Sequence, residues 1–183
     1  RQGSGYEVRD FRRTGGPDLL RELLALASGP RLESATIDLL LVRRQLARAV
    51  IEKLLERPIR ARARTAIEAS VDALEQAVAS GARIGEVADA DLAVVASILE
   101  ATDSAVLQLC MNPVAAIVAG VPRLRDAIYA DATDSVLGWR GLLAWLEAPS
   151  PAGMELVLGA MAARDAQTIE RLRSAPRARR KTR

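Results

Sequence analysis

Histidine is absent from the 183 residues, and cysteine occurs once, as Cys110. These two gaps exclude Ser-His-Asp and Cys-His catalysis, imidazole acid–base chemistry, His-ligated zinc and zinc held by four cysteines. A single thiol also cannot close an internal disulfide. Aromatic residues make up only 3% of the chain, so a strand-rich core built on aromatic and β-branched side chains is not expected. No charge-free apolar run reaches about 18 residues, which argues against a membrane-spanning helix, and no secretory apolar segment opens the chain. The location expected on these grounds is cytoplasmic, with no membrane partner. Also missing are a glycine-rich phosphate loop, a metal-ligand cluster and a nucleophile with a base at workable spacing. No enzyme, metal or cofactor is therefore expected.

What the chain has in quantity is aliphatic and charged. Half the residues are hydrophobic, mostly Ala, Leu and Val, and 27% are charged, a mixture that suits one helical domain with a substantial core. The net charge of +3 is uneven. Arg173–Arg183 contributes +6 and the first thirteen residues +2, which leaves a body of −5 between two basic ends. The tail 175–183 is expected to be disordered and solvated, with non-specific attraction to phosphate as its functional reading.

Nearly all the rest has helical period. The segment 1–11 opens with the turn-forming Arg1-Gln2-Gly3-Ser4-Gly5, then alternates like a short strand over Tyr6–Arg9, and 12–16 resembles a linker. Pro17 suits a first helical position, with Leu19, Leu20, Leu23, Leu24 and Leu26 following before Gly29-Pro30 ends that helix. Longer helices are predicted over about 33–56, 59–80, 84–102, 106–119, 122–129, 135–146 and 152–173. Asp103 or Ser104 can cap the fourth of these and Asp134-Ser135 the sixth, while Pro113 implies a kink. The expectation is an all-α antiparallel bundle of about seven helices over 17–174.

Several residues stand out within these helices. Asp89 and Asp91 lie two apart, so their carboxylates point to different faces and suit the positive end of a helix better than a catalytic pair. Cys110 falls in an apolar segment and is most simply a core residue. Arg43 and Arg164 sit among apolar neighbours and need anionic partners, either protein carboxylates or a ligand carboxylate or phosphate. Trp139 and Trp145, six apart, are expected on different faces of one helix, where either could wall a cavity.

The opening Arg1–Phe11 resembles the end of the winged-helix domain of GntR-family transcription regulators. The helix with Leu39-Leu40-Leu41-Val42-Arg43-Arg44, the stretch Asp91–Leu107 and the final helix Met154–Leu172 resemble the effector domain of the FadR subfamily. That resemblance implies a regulator acting as a homodimer on operator DNA. Residues 1–11 would then be the end of the winged-helix domain, with Gln2 and Gly3 contacting DNA at the wing tip and the recognition helix upstream of Arg1. It also implies that Asp91 occupies the aspartate position of the subfamily's divalent-metal site. The imidazole positions of that site hold Val95, Gly138 or Trp139, and Arg164, so the metal site is not expected. The pattern is closer to the metal-free, fatty acyl-CoA-responsive branch. The effector-binding residues so implied are Arg43, Asp91, Val95, Trp139, Met161 and Arg164, with a long-chain acyl-CoA or fatty acid as ligand. A helical scaffold that binds a partner but no small molecule, and a FadR-like sensor of another organic acid, remain as alternatives.

Overall fold

The computed structural model describes residues 10–174, and helices account for nearly all of them. The predicted linker opens instead with a helical turn, α1 (Phe11–Thr14), whose Thr14 Oγ1 donates back to the Asp10 carbonyl at 3.0 Å. The wing-like strand of residues 6–9, together with Gln2, Gly3 and the tail 175–183, lies outside the described residues. Eight longer helices follow: α2 (Asp18–Leu26), α3 (Pro30–Glu56), α4 (Ala61–Ala79), α5 (Ile84–Ala101), α6 (Ala105–Gly120), α7 (Pro122–Ile128), α8 (Thr133–Glu147) and α9 (Pro151–Ser174). No strand occurs among the described residues. None of these helices alone is long and apolar enough to cross a membrane.

Local chemistry sets the boundaries. Pro30, Pro122 and Pro151 each open a helix, where the missing N–H costs nothing. Gly81 ends α4 in the left-handed region at φ +68°. There the Ala82 N–H reaches the Ala77 carbonyl at 3.0 Å and the Gly81 N–H reaches Val78 at 3.1 Å, which satisfies two end carbonyls and turns the chain back into α5. Ser104 caps α6 by accepting from the Leu107 N–H at 3.3 Å. α6 runs through Pro113 to Gly120, and the axis then bends by 94° into α7.

α3 and α9 lie antiparallel along most of their length. Arg173 pairs with Glu33 at 2.8 Å near one end, Arg48 with Glu155 at 2.8 Å toward the other, and Asp165 with Arg43 and Arg44 between them. α4 pairs antiparallel with α8, through Arg64–Glu147 and Arg140–Asp72, both at 2.7 Å. Its opposite contact is with α5, where Ser70 Oγ meets Ser97 Oγ at 2.7 Å. Ile67, Val71 and Leu74, at spacings of four and three, are fully buried along the inner stripe of α4. α2 behaves differently from its leucine pattern. Leu24 alone enters the core, and Leu19, Leu20, Leu23 and Leu26 remain exposed because the helix lies on the outer side of α6 and α3. Cys110 is likewise exposed rather than buried, since Met111, Val114, Ile117 and Val118 form the inward stripe of α6 and leave position 110 outside it.

Candidate functional site

The helices line an open-mouthed cavity of about 530 Å³, within the roughly 300–1,000 Å³ usual for small-molecule sites. α3 contributes Arg43, Ala47, Val50 and Ile51 to its wall, and α5 contributes Asp91, Val95, Ile98 and Leu99. Met111 of α6 and Ile128 of α7 close one side. α8 and α9 supply the other, and the exposed Leu137 and Leu156 there mark the rim. Most of the wall is aliphatic, aromatic or thioether, and the charged groups gather at one pole.

That pole is built from four helices and a turn. Asp91 lies in the third turn of α5, not at its positive end, and faces inward while Asp89 is exposed. Its two oxygens are held by neutral donors, Tyr129 Oη at 2.8 Å and Trp139 Nε1 at 2.6 Å. Burial, reinforced by the neighbouring carboxylate, pushes the Tyr129 pKa far above the ordinary phenol value, so the phenol remains a donor. From α9, Arg164 donates to Ser135 Oγ at the start of α8. Burial pushes the Arg164 pKa down and Asp91 opposes that fall. No carboxylate lies in ion-pair range of Arg164 among the described residues. Arg43 shows the alternative expected of a buried arginine, since it shares Asp165 with Arg44, the latter at 2.7 Å. Asp165 is 3% exposed, yet Arg43 Nε is buried with no hydrogen-bond partner among the described residues. A second, water-sized hollow of about 10 Å³ is lined by Arg43, Arg164 and Arg171 together with Asp131, Asp134 and Asp165.

The far wall depends on a glycine. Trp145 Nε1 donates to the Ser150 carbonyl at 3.0 Å, which lays the indole over Gly153. A Cβ on Gly153 would stand 2.5 Å from Trp145 Cδ1. No other residue type fits beneath the ring in this position.

The structure brings Arg43, Asp91, Val95, Trp139, Met161 and Arg164 together on the wall of this one cavity, although they come from α3, α5, α8 and α9. It also adds members that the pattern did not single out. Trp139 and Trp145 point about 120° apart around α8 at 100° per residue, but the cavity spreads far enough around the helix for both to line it. Ser135 was expected as a cap, whereas Ala132 precedes α8 and makes no side-chain cap. Ser135 is fully buried in the first turn and spends its hydroxyl on Arg164. Tyr129 had no signal in the sequence, because its partner is 38 residues away.

The positions corresponding to imidazoles in the implied metal site, namely Val95, Gly138 or Trp139, and Arg164, all line the cavity near Asp91. Among the described residues no three His, Cys, Asp or Glu side chains converge. One carboxylate held by a phenol and an indole is not a metal donor set. No family model, curated protein or solved structure matches the chain.

Proposed function

We infer that residues 17–174 are the effector-binding domain of a GntR-type, FadR-like transcription regulator, with the 530 Å³ cavity as the effector site. One observation carries the ligand reading: a large apolar cavity ends at a guanidinium, Arg164, that among the described residues has a serine as partner and no carboxylate in ion-pair range. A half-buried cation of this kind favours an incoming anion, and the apolar walls favour a hydrocarbon body. An amphipathic carboxylic acid meets both demands. A fatty acid or the acyl end of a long-chain acyl-CoA is the member of that class implied by the resemblance. The arrangement of the helices as the subfamily's antiparallel bundle, and the wing-derived DNA contact at Gln2 and Gly3, belong to the same reading.

In such a regulator the ligand acts by differential affinity for two arrangements of a dimer on operator DNA. Arg43 is suited to the coupling, because it faces the cavity while its guanidinium ties α3 to Asp165 of α9. A carboxylate that draws Arg43 toward the cavity loosens that tie.

Calorimetric titration with long-chain acyl-CoA, free fatty acid and short dicarboxylates tests the reading. Binding of the long-chain ligands supports it. Binding of dicarboxylates alone, or binding that requires zinc or nickel, contradicts it. The scaffold alternative predicts instead that native mass spectrometry of the purified protein finds no bound small molecule and that none of these ligands binds.

A further inference from the structure

The polar end of the cavity carries two opposite fixed charges, not one. Arg164 and Asp91 both line it, on neighbouring parts of one wall. The Arg164 guanidinium lies against Gly138, where a Cβ would stand 3.5 Å from Nη1. The Asp91 carboxylate is held by the indole of the next residue, Trp139. Each group keeps unused capacity. Among the described residues Arg164 spends one of its five N–H donors on Ser135, and Asp91 uses two of about four carboxylate acceptor sites.

The charges at this pole already balance without a ligand. Arg43 and Arg44 share Asp165, and Asp131 and Asp134 line the water-sized hollow with Arg171, as Arg164 also does. With Arg164 and Asp91 added, four guanidiniums face four carboxylates. Among the described residues, the hydrogen bonds that Asp91 receives come from a neutral phenol and a neutral indole. Its nearby positive charge is Arg164. A simple carboxylate that occupies Arg164 therefore strips Asp91 of its countercharge inside an apolar chamber, which is costly.

We propose that the ligand's head is zwitterionic, an α-amino acid with a large apolar side chain, whose carboxylate meets Arg164 and whose ammonium meets Asp91. The side chain then extends between Trp139 and Trp145 toward the rim at Leu137 and Leu156. This rests on the cavity being an effector site for a carboxylate, and it narrows the class from amphipathic acids to amphipathic amino acids.

Calorimetric titration of the whole chain with matched pairs tests it: phenylalanine against hydrocinnamate, leucine against isocaproate, and the α-amino derivative of decanoate against decanoate. The expected result is that the amino member of at least one pair binds about tenfold or more tightly than its partner, as a charge-assisted hydrogen bond provides. Asp91→Asn removes that preference while retaining the plain acid. The wild-type pairs decide the matter even if the variant fails to fold. Equal or tighter binding of the plain acid in every pair overturns the inference and leaves the effector reading standing. Phenyllactate binding as tightly as phenylalanine overturns the requirement for positive charge. If no acid of either kind binds, both readings fall.

Discussion

Replacing Asp165 by Asn removes one negative charge while preserving shape, and the structure sets the size of the effect. The Asp165 side chain is 4% exposed and accepts from two guanidiniums that are themselves 21% and 29% exposed. Truncating one member of a buried ion pair costs about 3–5 kcal/mol, and a hydrogen bond to a charged group contributes about 1.5–3 kcal/mol. Here Arg43 and Arg44 keep partial access to water, which offsets some of the loss. The asparagine amide can also accept one of the two bonds. The expected destabilisation is therefore about 2–4 kcal/mol. Urea unfolding followed by far-UV circular dichroism measures it, with an unchanged slope as the sign that the native fold is retained. Glu155→Gln is the internal control, because its pairing with Arg48 joins the same two helices at an exposed position, and it should leave the midpoint unchanged. A loss below about 1 kcal/mol for Asp165→Asn would refute the view that this triad fastens α3 to α9.

Gly153→Ala places a methyl group 2.5 Å from Trp145 Cδ1, so the ring must shift; a cost of about 1–3 kcal/mol and altered indole fluorescence are expected, and an unchanged spectrum would contradict the packing. Ser104→Ala removes the cap of α6 and should cost about 1 kcal/mol in thermal or urea unfolding, with no change indicating that the cap is immaterial. In alkaline absorbance titration the Tyr129 phenol should resist ionisation until the protein unfolds. Because its folded pKa lies above the unfolded value of about 10, the stability linked to it is intact at neutral pH and is lost as the pH rises beyond that value. Ionisation of both tyrosines near about 10 in the folded protein would show that Tyr129 is not held as described.

The helices were legible because their punctuation is local. Proline marks the starts of α7 and α9, and Gly81 closes α4 with the geometry that glycine permits, whereas Pro30, read as the stop of the preceding helix, opens α3. Side-chain direction was less legible where a helix has apolar residues on more than one face. α2 and α6 both carry more leucine, valine and cysteine than the core accepts, so period alone could not say that Leu23 and Cys110 face outward. The cavity residues Arg43 and Arg164 drew attention as charges in apolar surroundings, which is a local signal. Ser135 and Tyr129 did not, because their roles depend on partners 29 and 38 residues distant. That both Trp139 and Trp145 line the cavity was not legible, since the angular separation of two residues on a helix says nothing about how widely a cavity wraps around it.

The central claim is that an amphipathic acid lies along this cavity with its carboxylate at Arg164. Titration calorimetry with straight-chain alkanoates from octanoate to hexadecanoate, on the native protein and on Arg164→Met, addresses it most directly. The account predicts affinity that rises with chain length, by at most about 0.8 kcal/mol per added methylene, until the cavity is filled. It also predicts that Arg164→Met weakens every member of the series by a similar factor, because the head group is common to all. Affinity independent of chain length, or an Arg164→Met variant that binds as the native protein does, would contradict it.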